Sequence, residues 1–286
     1  MAGFKTILIP VDFSINTEIA IRKGVQLCGG NAPSVHLLHV PKISFAGLFG
    51  CNWYLTIPPT AVYDHTYISD NLAKWSNYAK KLRSDISVYQ WILNDNSTER
   101  AIIEKARAVG ADMIVIGKKS QHTLLPFLNT VTPTRVARLT GISVLTVRPG
   151  AMGATLRTVV VPVTPSVLEK KAEVINALGN RFQIYIRLLI LVGKNDDIDM
   201  LQSSLVNICR LLKNRSLDNI SYEVLTTDKK KPEILKYCRR VDADLLIIQP
   251  EGKVKFPWFH KYISDELPAN SKTLVLTVGQ EDSRTA

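Results

Sequence analysis

Two places in this sequence set residues that could meet a ligand directly behind an apolar run. Asp12 follows ILIPV at Ile7 to Val11, and Gly117 closes ADMIVIG at Ala111 to Gly117 with Lys118 and Lys119 behind it. An acid leaving a strand can accept backbone N–H bonds as a local cap, or it can contact a bound molecule. Lysine meets phosphate as a point charge. Ser14 has no identifiable histidine or lysine base, so it reads as a helix cap rather than a nucleophile. HExxH, GxSxG, a Walker loop and GxGxxG do not occur. Cys28, Cys51, Cys209 and Cys238 lack the paired spacings of a zinc site or a redox dithiol. No catalytic residue and no metal ligand is assigned on this reading, and a reducing compartment is expected.

The elements that must position Asp12 and Gly117 are written twice. Thr6 to Ser14 reads TILIPVDFS and Thr158 to Ser166 reads TVVVPVTPS, an offset of 152 that also relates Leu37, Leu38 and Val40 to Leu189, Ile190 and Val192. Ile86 and Ile220 stand 134 apart, and Leu145 and Leu276 stand 131 apart, so the second copy is 21 residues shorter, with 18 of them lost between its second and third strands. Self-similarity over such a distance marks a repeated structural unit. In the first copy the pattern predicts strands over Thr6–Val11, Ser34–Val40, Ile86–Ile92, Met113–Gly117 and Ser143–Arg148. Helices are predicted over Ile15–Cys28 and Thr98–Val109, capped by Ser14 and Ser97. Pro232 is expected to open the corresponding helix of the second copy. Continuous β-branched runs indicate strands covered on both faces, hence parallel sheets with helical crossovers.

The length of 286 residues suits two domains, placed at 1–150 and 151–286 with the junction near Pro149 to Thr155. The residues lost from the second copy form an insertion in the first at about 41–70, rich in aromatics (Phe45, Phe49, Trp53, Tyr54, Tyr63 and Tyr67). It reads as a lid on its own domain, a subunit contact or a ligand cover. A hydrophobic share of 46% and a charged share of 21% exclude disordered and low-complexity classes. A net charge of +11 favours anionic partners, but the basic residues are dispersed and no aromatic ribonucleoprotein signature accompanies them, so no nucleic-acid role is expected. No apolar segment approaches a membrane span. The amino terminus lacks the pattern of a signal peptide, and the expected location is the cytoplasm.

The order of ILIPVDFS, LLHV at Leu37 to Val40, ADMIVIG and RVARLTGISVLTVRPG at Arg135 to Gly150 resembles the universal stress protein family in its tandem form. The second copy, framed by VVVPVTPS and ADLLIIQPEG, is similar to a diverged domain of the same kind. The resemblance implies two doubly wound α/β domains of the adenine nucleotide alpha hydrolase-like kind, each a five-stranded parallel sheet ordered 3-2-1-4-5. Ligands of such sheets bind beyond the carboxyl ends of strands at the switch in strand order. By this resemblance Asp12 would contact a nucleoside and Val40 would lie by the adenine. A segment G-x2-G-x9-G-[ST] would wrap the phosphates. Here that segment has Gly117 first, then Ser120, then Thr130 followed by Val131, so two of three glycines are missing.

A phosphate cradle turns successive backbone N–H groups towards the anion through conformations that glycine adopts most readily. The second copy has Thr164 in place of the acid and Gln249 in place of the first glycine, so no nucleotide is expected there. The reading is a cytoplasmic, non-enzymatic stress-response protein acting by contacts with an unknown protein partner, with no cofactor expected. The alternative is an ATP or AMP sensor using Asp12, Val40, Gly117, Ser120 and Thr130 of the first domain, with slow hydrolysis or autophosphorylation. Pairing of the two fifth strands into an intramolecular pseudo-dimer, and a further homodimer, follow from the resemblance.

Overall fold

The repeated TILIP and TVVVP runs become β1 (Thr6–Pro10) and β6 (Thr158–Pro162), each at the centre of its half of one ten-stranded sheet. A computed structural model describes residues 3–41, 65–118, 131–153, 155–164, 168–213, 217–250, 263, 267 and 271–279. The first half adds β2 (Ser34–His39), β3 (Ser87–Ile92), β4 (Met113–Gly117) and β5 (Ser143–Val147). The second adds β7 (Tyr185–Val192), β8 (Ile220–Thr226), β9 (Leu245–Ile248) and β10 (Leu274–Thr277). Strand order is β3-β2-β1-β4-β5-β10-β9-β6-β7-β8, parallel throughout except that β5 and β10 pair antiparallel, with Leu145 opposite Leu276. Each half is thus a doubly wound parallel α/β sheet of order 3-2-1-4-5.

Among the described residues, seven α-helices cover the two faces: α1 (Ile15–Leu27), α2 (His65–Leu82), α3 (Thr98–Ala108), α4 (Pro133–Thr140), α5 (Leu168–Gly179), α6 (Ile198–Lys213) and α7 (Lys230–Arg240). Alternate side chains of a strand point to opposite faces. Ile7 and Ile9 accordingly enter a core that runs under α1, α2, α5 and α6 through both halves. Leu8 enters a separate core with α3 and α4, and its counterpart Val160 enters one under α7. Strands buried on both faces explain why these runs are apolar without alternation.

Ser14 and Ser97 cap α1 and α3 by accepting N–H bonds from Asn16 and Arg100. Pro232 does not open its helix: α7 begins two residues earlier, at Lys230, and the third helical position lacks an intrahelical acceptor in any case. At the amino ends of the sheets, Asp112 Oδ2 accepts the N–H groups of Lys5 (2.8 Å) and Thr6 (2.9 Å). Asp244 Oδ2 does the same for Arg157 (3.0 Å) and Thr158 (2.9 Å). Of the aromatic insertion at about 41–70, residues 42–64 lie outside the described residues and His65 to Asp70 form the start of α2.

Candidate functional site

The carboxyl ends of β1 and β4 meet beside the amino terminus of α1, at the switch in strand order. Asp12 stands there. Its Oδ1 accepts the Ser14 N–H (3.1 Å), the Ser14 hydroxyl (2.5 Å) and the Thr17 hydroxyl (3.1 Å), while its own N–H donates to Thr17 Oγ1 (3.1 Å). A carboxylate at the first turn of a helix also meets the positive end of the helix dipole. The local chain therefore gives Asp12 a capping role that needs no ligand.

Phe13 adopts a left-handed conformation with φ of 60°, which costs a non-glycine residue about 1–2 kcal/mol. Its ring stacks on His39 with centroids 4.3 Å apart, and Tyr67 of α2 meets it edge-on at 6.4 Å. His39 Nδ1 lies 2.9 Å from the Val11 carbonyl, and burial lowers its pKa. These rings close over the ends of β1 and β2. Val40 is buried in the core beneath α3 and α4 with Leu8, Leu38 and Ile102, which leaves its backbone rather than its side chain for any ligand.

Gly117 ends β4 under the first turn of α1. A Cβ placed on it would come within 2.8 Å of both the Cβ and the carbonyl oxygen of Asn16, so close helix-to-strand packing alone accounts for the glycine. Lys118, whose N–H donates to Val147 O at 3.0 Å, and Arg148, which follows β5, bring two cations to the same end of the sheet. Burial, and secondly the neighbouring Arg148 charge, push the Lys118 amine down to about 8. Burial also lowers Arg148. The hydroxyl of Thr134 in the first turn of α4 and Oδ1 of Asn16 are buried and lack a hydrogen-bond partner among the described residues. Ser120 and Thr130 lie outside the described residues.

The corresponding end of the second half is built differently. Thr164, in the place of Asp12, donates to Gln249 Oε1 at 2.7 Å. Lys171 of α5, 1% exposed, donates to Thr164 Oγ1 (2.9 Å) and to the Pro162 carbonyl (3.1 Å). Burial pushes this amine down to about 8. The first half presents a carboxylate at its switch and the second a buried amine. The sequence signal for Lys171 lay in the repeat, since at an offset of 152 it stands opposite Ile19, on an apolar helical face.

The model of the universal stress protein family matches residues 3–148, just over half of the sequence. The chain belongs to the universal stress protein family. Among solved structures it is similar to a universal stress protein from Archaeoglobus fulgidus DSM 4304, at 11% identity and a TM-score of 0.59, with 98% of this chain and 97% of that chain covered. A putative universal stress protein from Pseudomonas aeruginosa UCBPP-PA14 is 15% identical with a TM-score of 0.57, over 96% and 93% of the two chains. The cytoplasmic domain of a prokaryotic cation chloride cotransporter matches 96% of this chain and 95% of its own, at 10% identity and a TM-score of 0.54. At such identities the likeness is one of fold, and fold alone does not set function. No curated protein matches the chain. Among the described residues, no helix is long and apolar enough to cross a membrane, and no group of three or more His, Cys, Asp or Glu could hold a metal ion.

Proposed function

We propose that this universal stress protein acts in the stress response through protein contacts, in the cytoplasm and not as an enzyme, with neither half holding an adenine nucleotide. The observation that carries the reading is the internal use of both switch-point residues. Asp12 is committed to Ser14 and Thr17, and Thr164 to Gln249 and Lys171. A nucleoside hydroxyl would compete at Asp12 Oδ1 with three donors already in place, one of them a charge-assisted bond of 2.5 Å. In the second half it would meet a buried cation where the family resemblance calls for an acid. Gly117 adds no weight to a phosphate site, because Asn16 already requires it. Cys28, Cys209 and Cys238 are free thiols, in keeping with a reducing compartment.

Calorimetric titration of ATP and of AMP, each with and without magnesium, tests this. The expected result is no heat of binding in either the natural protein or Asp12→Ala. Micromolar binding that Asp12→Ala abolishes would overturn the reading.

A second reading, an ATP or AMP sensor in the first half, is favoured by one observation. Lys118 and Arg148 bring two neighbouring positive charges to the carboxyl ends of β4 and β5, and a cluster of cations suits an anion. On that reading Lys118→Ala weakens binding more than Asp12→Ala does.

A further inference from the structure

An edge strand exposes a row of unpaired N–H and C=O groups, and proteins usually blunt it with lysine, proline, a bulge or a covering segment. β8 has none of the sequence devices: it reads ISYEVLT, and its one charge, Glu223, is engaged with Arg240 of α7. Among the described residues its only strand neighbour is β7. The Ile186 N–H donates to Asn219 O and the Thr227 N–H to Val192 O, each at 2.8 Å. In a parallel ladder these bonds turn the odd-numbered residues of β8 towards β7. Tyr222, Val224 and Thr226 therefore direct their backbone groups outward.

One face of the same strand is also uncovered. Tyr222 and Val224 are 63% and 52% exposed, although their register partners in β7, Leu188 and Ile190, are buried. The first half covers the equivalent face in part, with Gln90 exposed between Val88 and Ile92. There α2 packs on β3, and Val88 and Ile92 are half-buried in the core that also takes Trp75 and Tyr78. In the second half α6 packs chiefly on α5 and β7, so Ile220 is half-buried at the start of β8 while Tyr222 and Val224 beyond it stay exposed.

We propose that β8 is an interface with a second copy of this chain, the two strands pairing antiparallel about a two-fold axis at Glu223. Tyr222 then lies opposite Val224 of the second copy, and Val224 opposite its Tyr222. The strand is complementary to itself in this register. Outward N–H and C=O groups face outward N–H and C=O groups, and two aromatic-to-β-branched pairs form on the uncovered face, the kind of cross-strand contact that stabilises sheets. Charge does not forbid a second copy at this axis. Two copies each carrying +11 repel overall, but at the axis each Glu223 arrives beside its own Arg240, and each Arg240 can also serve the facing carboxylate. The chain already joins sheets in this way, at β5 and β10.

The inference rests on the reading that this protein works through protein contacts, and names one of those contacts. Sedimentation equilibrium of the full chain over a wide concentration range tests it, with and without ATP, alongside Val224→Pro and Val224→Lys. Val224→Pro removes an N–H that points away from β7, and Val224→Lys places a charge at an exposed edge position. The natural protein is expected to reach twice the chain mass at high concentration. Both variants should remain at the single-chain mass with unchanged circular dichroism. If Val224→Pro unfolds, Val224→Lys decides. A natural protein that stays at the single-chain mass throughout overturns the pairing, as does a dimer that survives in Val224→Lys. Nucleotide binding by an intact dimer would overturn the proposed function alone, and a single-chain protein that binds no nucleotide would overturn the β8 pairing alone.

Discussion

Asn16 sits so close over Gly117 that a Cβ on the glycine would fall 2.8 Å from the asparagine's carbonyl oxygen. The neighbour is backbone in the first turn of α1, which cannot give way without moving the helix. Gly117→Ala is therefore expected to destabilise the protein by about 1–3 kcal/mol, the range for overpacking a close contact. A lower urea midpoint at unchanged slope would show this. A glycine kept only for phosphate approach would give an alanine variant as stable as the natural protein.

Asp112 and Asp244 each accept two backbone N–H bonds that hold the chain entering the central strand of their half. Replacing either by alanine leaves two donors without their acceptor, and we expect a loss of about 1–3 kcal/mol for each. Asp112→Asn keeps one oxygen and should lose less. Chemical denaturation of the three variants measures the effect, and two alanine variants indistinguishable from the natural protein would refute it.

The central strands were legible because β-branched runs buried on both faces look the same wherever they occur, and TILIP and TVVVP carry that pattern twice. Ser97 was legible as a cap because hydroxyl capping is local chemistry. The first turn of α2 was not, since the repeat has no counterpart there and an aromatic stretch with no periodic partner reads as an inserted loop. Gly117 has two physical uses, close packing and anion approach, that demand the same residue, and only the position of Asn16 separates them. Lys171 is visible in the sequence only through its alignment with Ile19 across the repeat; its local pattern reads as an ordinary helical lysine, because the burial of a charge depends on what closes over it.

His36 of β2 accepts the Trp91 indole N–H at Nδ1, 3.1 Å away. Indole only donates, so the imidazole must be neutral for this bond to exist. Burial, and then the charge of Lys105, hold its pKa below the usual 6.5. The unfolded chain therefore takes up a proton before the folded one does, and the stability tied to His36 is present above that value and lost as pH falls through the folded pKa. We expect the urea midpoint of the natural protein to fall more steeply between neutral and mildly acidic pH than that of His36→Gln, which cannot titrate. Parallel curves for the two proteins would count against the assignment.

Lys171 gives a trend of the same sign at the alkaline end. Its amine is held to about 8 in the folded chain by burial, against an ordinary value of 10.5, and its bonds run to a carbonyl and a hydroxyl rather than to a carboxylate. At neutral pH both folded and unfolded chains carry the proton, so the folded state bears the full cost of enclosing the charge. Between about 8 and 10.5 the unfolded chain binds more protons than the folded one, and stability tied to this residue rises with pH. Replacing a buried ion pair by apolar side chains of similar volume is often neutral or stabilising, by about 1–4 kcal/mol, and the Lys171 ammonium has no carboxylate to offset its desolvation. Lys171→Met is accordingly expected to be more stable than the natural protein at neutral pH, with the gap closing as pH rises through that window. Urea midpoints of the two proteins at several pH values read the gap directly. A variant less stable at neutral pH would mean that the bonds to Thr164 and Pro162 outweigh the cost of burying the ammonium.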